Sequence, residues 1–225
     1  MKKFFLSFVF FVLTMQITSA KCCESSFLVS KGVRKIIERD SVALDNAYMT
    51  VMRDGAACAS ANTPNYGTRI IVALEKIKFK SNRGNIKLKR GQISVFPENE
   101  SYQVPEGSFF EIALKKNHPP LTKPSEWIEP LKNTIVYEDA EFRVFEERLK
   151  PGDVRALHSH AQRVVVRLNE VQLTDPRYSP YGKPGTGIQV ANTVKFAEPM
   201  VHVVKNLGKI PLFNIVIEYK IPTLK

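Results

Sequence analysis

The chain has 225 residues, with 33 lysines and arginines against 22 aspartates and glutamates, a formal net charge of +11. Its three cysteines form no CxxC pair and stand at no cysteine-histidine spacing of the zinc-binding kind, which excludes a cysteine-based zinc module. The lysines are scattered, which argues against nucleic acid and leaves an anionic surface or ligand as the partner that the charge favours.

At the N-terminus, Lys2 and Lys3 precede an apolar run from Phe4 to Leu13, and Thr18-Ser19-Ala20 offers small residues at a cleavage position. That order is the order of a secretory signal peptide. The run is shorter than the roughly 20 residues that span a bilayer. Residues 1–20 are therefore expected to be removed on export, and the protein to be secreted or periplasmic. The remainder carries 31 basic and 22 acidic residues, or +9, and is long enough for one large or two small domains. In an oxidising compartment either Cys22 or Cys23 can bridge to Cys58, leaving one thiol over.

Short apolar stretches rich in Val, Ile and Phe then dominate, and they predict an all-β protein. In chain order they include Ala47 to Met52, Ile70 to Leu74, Glu141 to Phe145, Val164 to Leu168 and Phe213 to Ile217. A helical pattern competes only around Val33 to Arg39. Lys76, Lys78, Lys80, Lys87 and Lys89 recur at strand-like alternation and predict a solvated sheet face. Between Lys115 and Asn133, His118-Pro119-Pro120, Pro124 and Pro130 interrupt pairing, because proline donates no backbone hydrogen bond. Trp127, the only tryptophan, is expected to pack this linker against a barrel. Asp175 to Gly187 is a long loop of Gly, Pro and Tyr, where Arg177, Tyr178 and Tyr181 are candidates to recognise an anionic or sugar-like ligand. A wide hairpin turn is the other reading.

The two sides of the linker repeat. Thr68-Arg69-Ile70-Ile71-Val72-Ala73-Leu74 aligns with Gln162-Arg163-Val164-Val165-Val166-Arg167-Leu168, a period of about 90 residues that suits a duplicated domain. The expected organisation is a signal peptide (1–20), a first barrel (21–114), a proline-rich linker (115–133) and a second barrel (134–225).

Two motifs lie on this frame. Gly152-Asp153-Val154-Arg155-Ala156-Leu157-His158-Ser159-His160 has a glycine, five residues and His-x-His, and His202-Val203-Val204-Lys205-Asn206 is His-x-x-x-Asn. In the first half, Gly91, five residues and Pro97 follow the opening of the second motif. With these motifs the chain resembles the cupin superfamily, over roughly residues 26 to 225. The resemblance implies two tandem jelly-roll β-barrels, a bicupin whose first barrel is degenerate: Pro64 and Tyr66 stand opposite His158 and His160, and Tyr102 opposite His202. That barrel is expected to hold no transition metal and to serve as support or as an aromatic-lined cavity.

Residues two apart on a strand share a face, so His158 and His160 can both enter a barrel. With His202 they are the expected ligands of a divalent transition metal, iron, manganese, nickel, copper or zinc. The glutamate that the first motif requires is missing: Val164 and Val165 stand there, with Gln162 and Arg163 beside them. Three histidines alone resemble the ligand face of thiol and diketone dioxygenases of the same superfamily. The resemblance thus implies a metal-dependent oxygenase of a small molecule, with Arg163 or Arg155 steadying a carboxylate and with no general base assigned among Glu146, Glu147 and Glu170. The alternative is a non-catalytic envelope protein that binds a ligand or acts as a scaffold without metal. A monomer or weak homodimer is expected.

Overall fold

The computed structural model describes residues 41–57, 59, 61–129, 133–175 and 185–221. The expected signal peptide, the three cysteines, the helical stretch near Val33, and Arg177, Tyr178 and Tyr181 lie outside the described residues. All sixteen elements among the described residues are strands. The first seven are β1 (Ser41–Asp45), β2 (Met49–Arg53), β3 (Tyr66–Ala73), β4 (Ile77–Ser81), β5 (Gly84–Leu88), β6 (Ile93–Phe96) and β7 (Phe109–Lys115). After the linker come β8 (Asn133–Glu138), β9 (Phe142–Leu149), β10 (Val154–His160), β11 (Arg163–Arg167) and β12 (Val171–Asp175). The last four are β13 (Gly185–Gln189), β14 (Thr193–Ala197), β15 (Met200–Asn206) and β16 (Leu212–Tyr219).

Each half contains a five-stranded antiparallel sheet, and the two orders correspond: β1-β2-β7-β3-β6 in the first and β8-β9-β16-β11-β14 in the second. The repeat read from Arg69 and Arg163 is thus a repeat of topology, because β3 and β11 occupy the same place in their sheets. The second sheets differ. The second half has β10-β15-β12-β13, whereas among the described residues the first has only the hairpin of β4 and β5. Where β10 and β15 would have counterparts, the described residues of the first half offer only isolated bridges, Lys78 with Glu106 and Ser81 with Tyr102. The lysines of the β4 and β5 hairpin are exposed, as their alternation predicts.

Strand alternation divides the side chains of these sheets between two interiors. Ile70 and Val72 point one way, into a core that also holds Val51, Ile112, Val164, Val166, Ile215 and Ile217 and so joins the two halves. Ile71 and Ala73 point the other way, into an interior filled by Phe79, Phe96, Tyr102 and Phe109. The first half is therefore packed inside with its own aromatic side chains, Tyr102 among them. The second half does the opposite: Val164 and Val166 enter the shared core, while Arg163, Val165 and Arg167 face a cavity of about 580 Å³.

Polar contacts reinforce the join. Arg53 donates to the Asn192 carbonyl at 3.1 Å, Arg90 to the Asn192 side chain at 2.9 Å, and the Tyr219 hydroxyl to the Tyr48 carbonyl at 3.0 Å. Gly91 sits at φ +79°, and a Cβ added there would stand 2.5 Å from Phe213 Cζ of the other half. Glycine is required both by the left-handed backbone and by this approach.

The linker lies along the second half. Ile128 N donates to Ser159 Oγ at 2.8 Å and Ser159 N to the Ile128 carbonyl at 2.9 Å. Gln162 holds Thr122 by two further bonds, of 3.0 and 2.9 Å. Trp127 contributes less than its size suggested: its ring is half exposed, with the Arg143 guanidinium 5.5 Å from its centroid. The backbone of Ile128, paired with Ser159, does the anchoring instead.

Candidate metal centre

The strand that carries His158 and His160 is launched by a turn. Gly152 adopts φ +81°, and its N–H reaches the Asn206 carbonyl at 2.9 Å while Asn206 N donates to the Asp153 carbonyl at 3.0 Å. The Asn206 side chain is fully buried. It donates to the carbonyls of Leu149 (3.0 Å) and Ile210 (2.9 Å) and accepts from Gly208 N at 2.8 Å. The glycine and the asparagine of the two motifs are thus structural: they clamp the starts and ends of β10 and β15 side by side.

Within that pair a β-bulge sets the orientation of the site. Arg155 lies opposite Val204, but His158 lies opposite His202, three residues against two. On an unbroken strand Arg155 and His158 would face opposite ways. The extra residue rephases the alternation, so that Arg155, His158 and His160 all turn inward while Ala156 and Leu157 are exposed.

His158, His160 and His202 then converge. Their candidate ligand atoms lie within 4.8 Å of one another, and they form the one such group of three among the described residues. All three are buried. His158 Nδ1 is 2.7 Å from the Ala156 carbonyl, and since a carbonyl only accepts, this nitrogen carries the proton. His160 Nδ1 is 2.6 Å from Glu218 Oε2. Arg143 donates to the other oxygen of Glu218 through Nη2 (2.7 Å) and Nε (3.2 Å). With that guanidinium beside it we assign Glu218 as a carboxylate, accepting the proton of His160 Nδ1.

Both Nε2 atoms are then lone-pair donors, and they face each other at 3.0 Å. Two lone pairs at that distance repel unless a cation lies between them. Neighbouring imidazoles bound at about 2.1 Å and at a right angle stand about 3.0 Å apart. The residues therefore fit a transition metal. Burial, opposed by the Ala156 carbonyl, pushes His158 down to about 4. Burial and then Arg163 push His160 well below the usual histidine range. Neutral imidazoles are the ligand form.

Behind the ligands lies a charged network that the motif did not predict. Glu147 of β9 faces the same cavity. It accepts from Arg155 Nη1 and, at 2.9 Å, from Asn214 Nδ2, and Asn214 accepts from Gln189 at 2.8 Å. Burial works to raise the Glu147 pKa, but the Arg155 guanidinium, helped by the bond from Asn214, outweighs it and holds it at about 2. Glu147 is therefore a fixed negative charge near the histidines rather than a proton donor. Glu218 shifts the other way, raised by burial against the pull of Arg143.

The remaining predicted site residues divide. Arg155 is committed to Glu147 and to Asn133. Arg163 does line the cavity, but its guanidinium bonds the carbonyls of Ala161 (3.3 Å) and Glu198 (3.2 Å) and the sulfur of Met200. Gln162, beside the missing glutamate, serves the linker. Glu147, Glu218 and Arg143 were missed. The signal for Glu218 was a single charge inside the apolar run Leu212 to Tyr219.

No family model matches the sequence and no curated protein matches it. Solved structures do match. A protein named for induction by glyoxylate, from Pseudomonas aeruginosa, superposes with a TM-score of 0.51 at 10% identity, over 79% of this chain and 75% of its own. A cupin 2 conserved barrel domain protein from Leptotrichia buccalis gives 0.49 at 11% identity, over 86% and 93%. Salicylate 1,2-dioxygenase from Pseudoaminobacter salicylatoxidans gives 0.48 at 8%, over 76% and 69%. Likeness at such low identity reaches the fold and no further, and the fold it reaches is the one that the sequence motifs resemble: this chain is a cupin-fold protein.

Proposed function

We propose that the protein is a bicupin that holds one divalent transition metal on His158, His160 and His202 and uses it to transform a small molecule, as an oxygenase. The observation that carries the reading is the pair of Nε2 lone pairs facing each other at 3.0 Å, with each Nδ1 already engaged. Three imidazoles suit iron, copper, nickel or zinc. A bound ion of this kind supplies Lewis acidity and open positions for substrate and for dioxygen or water.

The chain's own residues do the rest. Glu218, steadied by Arg143, fixes the tautomer and angle of His160, and the Ala156 carbonyl does the same for His158. Glu147 adds a permanent negative charge to the lining of the cavity. Val165, Leu173, Val204, Leu212 and Val216 give part of the wall an apolar surface beside the charged residues of the lining.

Oxygen consumption tests the reading. Chelator-treated protein is reloaded separately with ferrous iron, manganese, nickel, copper or zinc and screened against small-molecule candidates in an oxygen electrode. Uptake with a redox-active metal that is lost in His160→Ala supports it. Stoichiometric metal binding without uptake on any substrate favours a ligand-binding role for the same site.

A further inference from the structure

The wall of the cavity built by β11 and β14 is cationic. Arg163, Val165 and Arg167 alternate onto one face of β11, and Lys195, opposite Val165 on β14, lines the same space. Among the described residues, the acids that line it are Glu147, already paired with Arg155, and the exposed Glu198. Arg163 has its guanidinium placed on backbone carbonyls, close to the histidines. Arg167 differs: it is half-buried, and among the described residues no carboxylate pairs with it. Burial alone lowers its pKa, with no anion opposing the shift. A guanidinium withdrawn from water without a counter-charge is costly to keep and is ready for an anionic ligand.

Position along the strand gives the ligand a shape. Arg163 follows His160 directly around the turn, and Arg167 lies four residues further along β11, about 13 Å away at strand spacing. Val165 stands between them on β11, and Leu173, Phe196 and Val204 add further apolar surface to the same cavity. We infer that the cavity takes a small organic carboxylate whose anionic end is bound by Arg167 and whose apolar body extends toward the three histidines. This inference rests on the metal reading only for placing the reacting end of the molecule near the histidines. The recognition of the anion belongs to Arg167.

Calorimetric titration of the full chain, freed of metal by chelator so that no ion can hold the carboxylate, tests it with octanoate and the isosteric octanamide. Octanoate is expected to bind roughly tenfold or more tightly than the amide, the worth of a charge-assisted pair. Arg167→Gln should equalise the two, and Arg167→Lys should keep part of the preference, which separates loss of the charge from loss of the fold. Equal binding in the wild type, no binding of either probe, or a preference that survives Arg167→Gln overturns the inference. A zinc titration on the same sample separates the two readings. Zinc uptake without carboxylate preference leaves the metal site standing and removes this inference. Carboxylate preference without zinc uptake does the reverse.

Discussion

Glu218 and His160, fifty-eight residues apart in sequence, meet at 2.6 Å in the interior of the second half, Oε2 against Nδ1. The contact ties β16 to the histidine cluster and decides which nitrogen of His160 carries the proton. Glu218→Gln keeps the shape but weakens the acceptor. Zinc affinity, measured by competition with a chelating dye, is expected to fall by about 10 to 100-fold. Unchanged affinity would show that Glu218 does not orient His160.

Glu147 and Arg155 form a buried ion pair in the same interior. Removing one partner alone strands the other. Glu147→Leu is expected to cost about 3 kcal/mol or more in denaturant unfolding, and adding Arg155→Met should restore a large part of it. Additive losses in the double variant would contradict the pairing.

The join between the halves depends on Gly91. Gly91→Ala places a methyl group against Phe213 and Leu168 and forces an alanine into a left-handed backbone. A cost of about 2 kcal/mol is expected, and with it a fall in Tm of about 4 to 8 °C. Because the shared core includes residues of both halves, the two should still unfold in a single transition. Two separate transitions in the wild type would contradict one common core.

Acid should destabilise the metal-free protein from the neutral side. His158 titrates at about 4 in the fold against an ordinary 6.5, and His160 shifts the same way. As pH falls below about 6.5, the unfolded chain takes up protons that the folded chain refuses. Stability is thus fully present above that pH and is lost progressively toward pH 4. Below 4.5, Glu147, held at about 2, extends the loss, because its stabilising ionised form must be given up. The Tm of chelator-treated protein is expected to decline steadily from pH 7 to pH 4, and a flat profile over that range would contradict neutral, buried imidazoles.

Much of this was readable in the sequence, and the limits have physical causes. The repeat of β3 and β11 was visible because each must bury alternate Val and Ile on a shared core. His158 and His160 were visible because a strand has a period of two. Arg155 was not placed, because the bulge at Ala156 and Leu157 resets that period and nothing in the local residues announces it. Glu218, Glu147 and Arg143 come from β16 and β9, and alternation says which face of its own strand a residue occupies without saying what stands across the barrel. The filled first half follows from its aromatic residues together with the absence, among the described residues there, of strands equivalent to β10 and β15, and only the second of these needed the structure.

The most direct test of the metal site is its occupancy. The chain purified without a metal-affinity tag and reloaded with zinc is analysed for metal beside a His158→Ala, His160→Ala double variant of matched circular dichroism. About one equivalent in the wild type and none in the variant is the expected result. No metal in either, or equal amounts in both, would contradict a centre built on His158, His160 and His202.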